Sequence, residues 1–223
     1  MSSNPAKFLA EFLGTFLIVC TVVGAGHMAT ELEADPTSGL VMIALAVGFV
    51  LFVTISMLLP ISGAHFNPAV TLVLALKNRM DSKVAVMFIV VQVLGAFAGA
   101  VAANLMFEKA AVGQGVVERI GAGSFLGEII ATGGLMLLIL LLIQFEKLAV
   151  IPAAVGAWVA AGHFFTSSTS FSNPAVTFGR SFSDGITGIH AGSVPGFVVA
   201  QLIGAAVAFL LFVLLTRKQK TNV

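Results

Sequence analysis

Charge is the scarcest property of this chain. Only 9% of its 223 residues are Asp, Glu, Lys or Arg, against roughly a quarter in a soluble domain, while 58% are hydrophobic. That balance suits lipid and leaves no room for a sizeable soluble domain. The net charge of +1 lacks the basic excess that a nucleic-acid partner requires, so none is expected. Cysteine is nearly absent too: Cys20 stands alone, which excludes an intramolecular disulfide and a cysteine metal cluster. A signal peptide fits the N-terminus poorly, because Lys7 and Glu11 bracket the first apolar residues and the run continues past Gly24. No glycine-rich phosphate loop occurs, and no nucleophile meets a base in a credible context. His27 and His65 lack partner ligands at metal spacing. No enzyme, catalytic residue, cofactor or metal is expected.

What the chain does have is long apolar runs. Stretches able to cross the roughly 30 Å hydrocarbon layer as helices start near Phe8, Leu40, Val84, Ser124, Leu148 and Val194, making six spans. Two further intervals, Pro60 to Leu76 and Thr166 to Phe182, are too polar at their starts and too short to span. If six spans alternate, Lys7, Lys77, Arg79, Lys83, Lys147, Arg217, Lys218 and Lys220 fall on one side. The other side has Glu31, Glu33, Asp35 and a near-balanced mix from Glu108 to Arg119. The positive-inside rule then puts both termini in the cytoplasm of a cell inner (plasma) membrane.

The chain also repeats itself. Glu11, Thr15, Asn67 and "QVLGA" from Gln92 recur in order as Glu128, Thr132, Asn173 and "QLIGA" from Gln201. The reading is one membrane domain, 1–223, divided into half-repeats 8–107 and 124–216. Each half holds three spans, an odd number, so the second is expected upside down relative to the first. The two short intervals, "SGAHFNPAV" and "SSTSFSNPAV", then enter from opposite faces and meet centrally. Pro68 and Pro174 suit the first turn of a helix. Non-helical backbone at membrane depth is tolerated where it is buried in protein or lines a wet cavity, which makes a water-filled path the economical explanation.

Asn67 and Asn173 are the expected points of contact. Each can satisfy local backbone groups while turning an amide N–H toward the path, and two half-helix N-termini aimed at one place oppose a cation or hydronium. Carbonyls of Gly63, Ala64, His65, Ser170, Phe171 and Ser172 are candidates for a ladder of acceptors. Glu11 and Glu128 are ionisable residues inside spans, hence proton-relay candidates in a pump; bracing of re-entrant backbone is the favoured role. Gly95 with Gly99, and Gly204 with Ala208, form small faces for close helix contact.

These motifs, "AEFLGTF" from Ala10, "SGAHFNPAVT" from Ser62, "SNPAVTFGR" from Ser172, with Gln92, Glu128, Gln201 and Gly204, resemble the aquaporin and aquaglyceroporin (major intrinsic protein) family over about residues 8 to 216. The resemblance implies an all-α membrane protein of aquaporin-like inverted-repeat fold, with six transmembrane helices and two re-entrant half-helices. It also implies a homotetramer with one pore per subunit, carrying small uncharged solutes or water. Glu11 and Glu128 match the family's buried bracing glutamates.

The sequence departs from the family at the filter. Members normally read Asn-Pro-Ala-Arg at the second motif; here Val176 holds that position, like the atypical bacterial members without the filter arginine. Val47 stands where a large aromatic is common. The third filter position is His163 by alignment through the Gly-His pair, or Ala161 by strict counting, with His163 favoured; Ser170 is the fourth. Arg180, four residues beyond Val176, lies on roughly the same helical face, and is expected to pack or brace loop carbonyls, since members have no pore residue there.

Without the arginine, the constriction is expected to be wide and to pass uncharged solutes such as glycerol-like polyols, urea or neutral metalloid species such as arsenous acid, water also permeating. Three alternatives stand: a water-selective aquaporin, a secondary transporter, and a structural membrane protein whose pore is closed by Phe164, Phe165 and Phe171.

Overall fold

The protein is described by a computed structural model covering residues 4–78 and 80–217; Arg79, Lys218 and Lys220, used above to orient the chain, lie outside the described residues. Among the described residues there are eight α-helices: α1 (Asn4–Glu31), α2 (Pro36–Ser62), α3 (Pro68–Asn78), α4 (Ser82–Met106), α5 (Ala122–Gln144), α6 (Ile151–Phe165), α7 (Pro174–Arg180) and α8 (Val194–Thr216). Six of them, α1, α2, α4, α5, α6 and α8, are long and apolar enough to cross a membrane, α6 together with the 3-10 turn Leu148–Val150 that leads into it. The two short helices, α3 and α7, follow the two Asn-Pro motifs. This is an all-α membrane protein with the expected six spans and two half-helices.

Local chemistry explains the ends. Asp35 accepts from the amides of Thr37 and Ser38, with Pro36 in the first turn of α2. Asp81 does the same for Lys83 and Val84 at the start of α4. These caps satisfy donors that a helix start leaves orphaned, and the first of them starts the second span at Pro36 rather than near Leu40. Pro60 belongs to the last turn of α2, so the first re-entrant segment begins later than the short-interval reading implied. Gly63 ends that helix at φ 93°, a left-handed conformation that glycine adopts without steric cost.

Small residues set the packing. α1 lies against α4, and α5 against α8. A methyl group on Gly95 or Gly99 would collide with the carbonyl oxygens of Phe12 or Phe16, and one on Gly204 would stand 2.5 Å from that of Ile129. The helices approach along the glycine faces expected from sequence. The polarity is inverted relative to a soluble bundle: Glu11, Gln92, Glu128 and Gln201 are fully buried, while Phe49, Leu76 and Leu215 point outward. Apolar exteriors match hydrocarbon, and polar groups must find partners inside.

Candidate functional site: a central pore

Each re-entrant segment is extended chain followed by a half-helix, and both use the same backbone trick. Ala64 and Phe66 take φ of 50° and 48°, and Ser170 and Ser172 take 48° and 50°. Left-handed conformations cost non-glycine residues of order 1–2 kcal/mol each and persist only when the surroundings impose them. The two glutamates impose them. Glu11 Oε1 accepts from Ser62 Oγ at 2.6 Å and the His65 amide at 3.0 Å; Oε2 accepts from the Phe66 amide at 2.7 Å and Gln92 Nε2 at 2.8 Å. Glu128 accepts from the amides of Phe171 and Ser172, both at 2.8 Å, and from Gln201 Nε2 at 2.7 Å. Gln92 and Gln201 each also donate to the threonine of their motif, Thr71 and Thr177.

The correspondence is incomplete. Ser62 reaches Glu11, whereas Ser168, five residues before the second asparagine as Ser62 is before the first, turns its hydroxyl to Thr166 instead.

The asparagines cap and cross. Asn67 Oδ1 accepts from the Ala69 amide at 2.9 Å, and Asn173 Oδ1 from Ala175 at 2.9 Å and Val176 at 3.3 Å. Their Nδ2 groups then donate to the opposite segment: Asn67 to the carbonyl of Ser172 and Asn173 to that of Phe66, each at 2.7 Å. Each amide retains a second N–H. Pro68 and Pro174 open α3 and α7 in the expected first turn. The Ser172 carbonyl, one of the candidate rungs of the acceptor ladder, accepts from Asn67 and keeps a second lone pair.

A cavity of about 330 Å³ lies along both segments. It is lined by Asn67 and Asn173, and by Val47, His163, Ser170 and Val176, which come from α2, α6, the second re-entrant segment and α7. Ile143 and Leu148 line it near the junction of α5 and α6, and Arg180 at the end of α7. Ala161, the counted alternative to His163, is exposed. Phe164 and Phe165, considered as plugs, are 53% and 54% exposed and point away from the cavity; Phe171 lines it but is held in a stack, with the Arg180 guanidinium carbon 3.4 Å and that of Arg119 4.9 Å from its ring centroid.

Arg180 braces as expected, its Nε donating to the Thr187 carbonyl, and it also lines the cavity, which was not expected. Most of the remaining wall is aliphatic, for example Ile18, Ile55 and Val155. Sequence reasoning missed these because no residue-level mark separates a pore-facing aliphatic side chain from a lipid-facing one. It also missed a buried set joining α1, α4 and the loop after α7, where His27 Nε2 meets Asn104 Oδ1 at 3.0 Å and Ser183 Oγ at 3.3 Å, and the anchoring of Arg119 to the carbonyls of Gly188 and Ile186.

Six apolar spans around two crossed half-helices and a central cavity define a multi-pass membrane channel. The family model "Major intrinsic protein" matches residues 2–172, and the chain belongs to that family, one of passive channels rather than enzymes. Among its relatives, aquaglyceroporin AqpS of Rhizobium meliloti (strain 1021) is 45% identical over 92% of this chain and 88% of its own. The probable aquaporin TIP2-2 of Oryza sativa subsp. japonica is 32% identical over 92% and 85%. The X-ray structure of the aquaglyceroporin from Plasmodium falciparum superposes with a TM-score of 0.74 at 24% identity, over 94% of this chain and 96% of that one.

Proposed function

We propose that this channel passes small uncharged solutes, namely glycerol-like polyols, urea or neutral metalloid species such as arsenous acid, with water also permeating. The observation that carries the reading is the cavity wall at Val176, where an aliphatic side chain takes the place of a bulky hydrogen-bonding cation. An arginine there would narrow the path and hold solute oxygens with a rigid fork of donors. Valine leaves room for a carbon skeleton and offers it apolar contact. The name of the Rhizobium relative, an aquaglyceroporin, supports the same class.

In this reading Asn67, Asn173, Pro68 and Pro174 form the central constriction, Val47, His163, Ser170 and Val176 the selectivity filter, and Glu11 and Glu128 brace the re-entrant backbone. The domain consists of half-repeats 8–107 and 124–216, of which the second is inverted. It sits in the plasma membrane with both termini cytoplasmic, as a homotetramer whose lipid-facing surfaces are the exposed apolar residues of α2, α4 and α8.

Stopped-flow light scattering on proteoliposomes under a glycerol gradient tests the function. The parent reswells fast, and Val176→Arg slows glycerol entry about tenfold or more, in line with what one added steric and polar obstacle does to discrimination. Rapid water-driven shrinkage without glycerol reswelling in the parent would replace this reading with a water-selective pore; loss of both signals would indicate a shut one.

A further inference from the structure

Arg180 is in an unusual electrostatic position. It is only 3% exposed, and its polar contacts among the described residues are the Nε bond to the Thr187 carbonyl and the face of Phe171. No carboxylate is among them. A guanidinium has five N–H donors, and Nε accounts for one. The terminal nitrogens make no hydrogen bond among the described residues and are not sealed from solvent-sized space. They therefore open onto the cavity that the residue lines.

Arg119 shows the contrast at the same ring. Its Nε and terminal nitrogens are directed to Gly188, Ile186 and Thr169, so it is a loop anchor. Arg180 keeps its terminal donors free.

Chain direction places Arg180 in a layer. α6 ends at Phe165, the chain turns back inward to Asn173, and α7 runs out again from Pro174. Along both helices, four residues toward that mouth lead from a valine to a basic side chain: Val159 to His163 on α6, and Val176 to Arg180 on α7. All four line the cavity. His163 uses Nδ1 on the Val159 carbonyl at 2.8 Å and leaves Nε2 without a partner. On each helix the step toward that mouth is about 6 Å at 1.5 Å rise per residue, so Arg180 lies about one turn outward of Val176.

We propose that Arg180 is the cation-excluding residue of this pore, and that charge selection is carried one turn outward of Val176 instead of by an arginine at position 176. The guanidinium meets a solute near that mouth and repels cations; His163, whose Nδ1–H is held by the Val159 carbonyl with Nε2 buried, contributes shape and not charge. Val159 and Val176, each one turn further in on its own helix, select by bulk and apolar contact, without a charge to satisfy. This rests on the solute-channel reading for the role of the valines; the role of Arg180 is independent of which neutral solute passes.

The test measures three permeabilities on the full-length protein in proteoliposomes: water, glycerol, and potassium with protons. Arg180→Leu is expected to raise the cation-to-water ratio about tenfold, the scale set by removing a unit charge near the path at an effective dielectric of about 20. Val176→Phe is expected to lower the glycerol-to-water ratio instead. Adding Val176→Arg to Arg180→Leu restores cation exclusion if the charge acts in the pore, whereas a bracing role would not be rescued from that position. Arg180→Lys keeps exclusion and Arg180→Gln loses it.

A cation-to-water ratio within twofold of the parent in Arg180→Leu overturns the proposal. So does failure of every Arg180 variant to assemble, which would make the residue structural. A parent that excludes cations and passes water but no glycerol removes the solute reading and leaves the assignment of Arg180 in place.

Discussion

Asn67 donates its side-chain amide to the backbone carbonyl of Ser172 at 2.7 Å, although the two are far apart in sequence. Asn173 returns the bond to Phe66, so the two half-helix entries are tied to each other as well as to the spans through Glu11 and Glu128. The centre of the pore is accordingly a structural joint as well as a polar constriction, and substitutions there should act on stability and permeation together.

Asn67→Ala removes the cap on the Ala69 amide and the donor to Ser172. A lost cap costs about 1 kcal/mol, and a buried carbonyl left unpaired about 1–3 kcal/mol. Thermal unfolding in detergent should show a loss of about 2–4 kcal/mol, accompanied by reduced water flux. A variant as stable as the parent would mean that the crossed bonds add nothing.

Glu128→Gln keeps the shape of the side chain but replaces an acceptor oxygen by a donor. Both oxygens accept backbone amides, from Phe171 and Ser172, so one amide loses its partner whichever way the new side chain turns. The second re-entrant segment should then open, seen as faster hydrogen exchange at Phe171 and Ser172 and a loss of about 2–3 kcal/mol. Unchanged exchange there would show that the left-handed backbone holds without the carboxylate.

Gly95→Val tests the packing of α1 on α4. The first added carbon would strike the Phe12 carbonyl, which belongs to rigid backbone, and overpacking of this kind costs about 1–3 kcal/mol. Lower thermal stability is expected, with the ratio of glycerol to water flux closer to the parent than in Val176→Phe. A shift in that ratio as large as in Val176→Phe would show that this helix contact sets the pore width.

The filter position shared between His163 and Ala161 illustrates where sequence reasoning stops. Both lie at the end of α6, and a spacing two residues shorter than the familiar one allowed either to be aligned. Helix phase separates them, since the pair is about 200° apart at 3.6 residues per turn: His163 lines the cavity and Ala161 faces out. Arg180 was legible as lying on the face of Val176, but the direction of its free donors depended on Thr187 and Phe171, which reach it through the loop fold.

The sequence by itself determined the membrane class, the six spans, the two half-helices, and the pairing of Glu11 and Glu128 with the two Asn-Pro motifs. These are recorded locally, in apolar run length, in proline and asparagine at helix starts, and in a repeat that marks its own register. Only the tertiary structure decided which aliphatic side chains face the path, that His163 is among them, and that Arg180 reaches it as well. The physical reason is the solvent: lipid is as apolar as the protein interior, so the polarity contrast that marks the inner face of a soluble helix is missing here, and the pore wall exists only once the helices are packed.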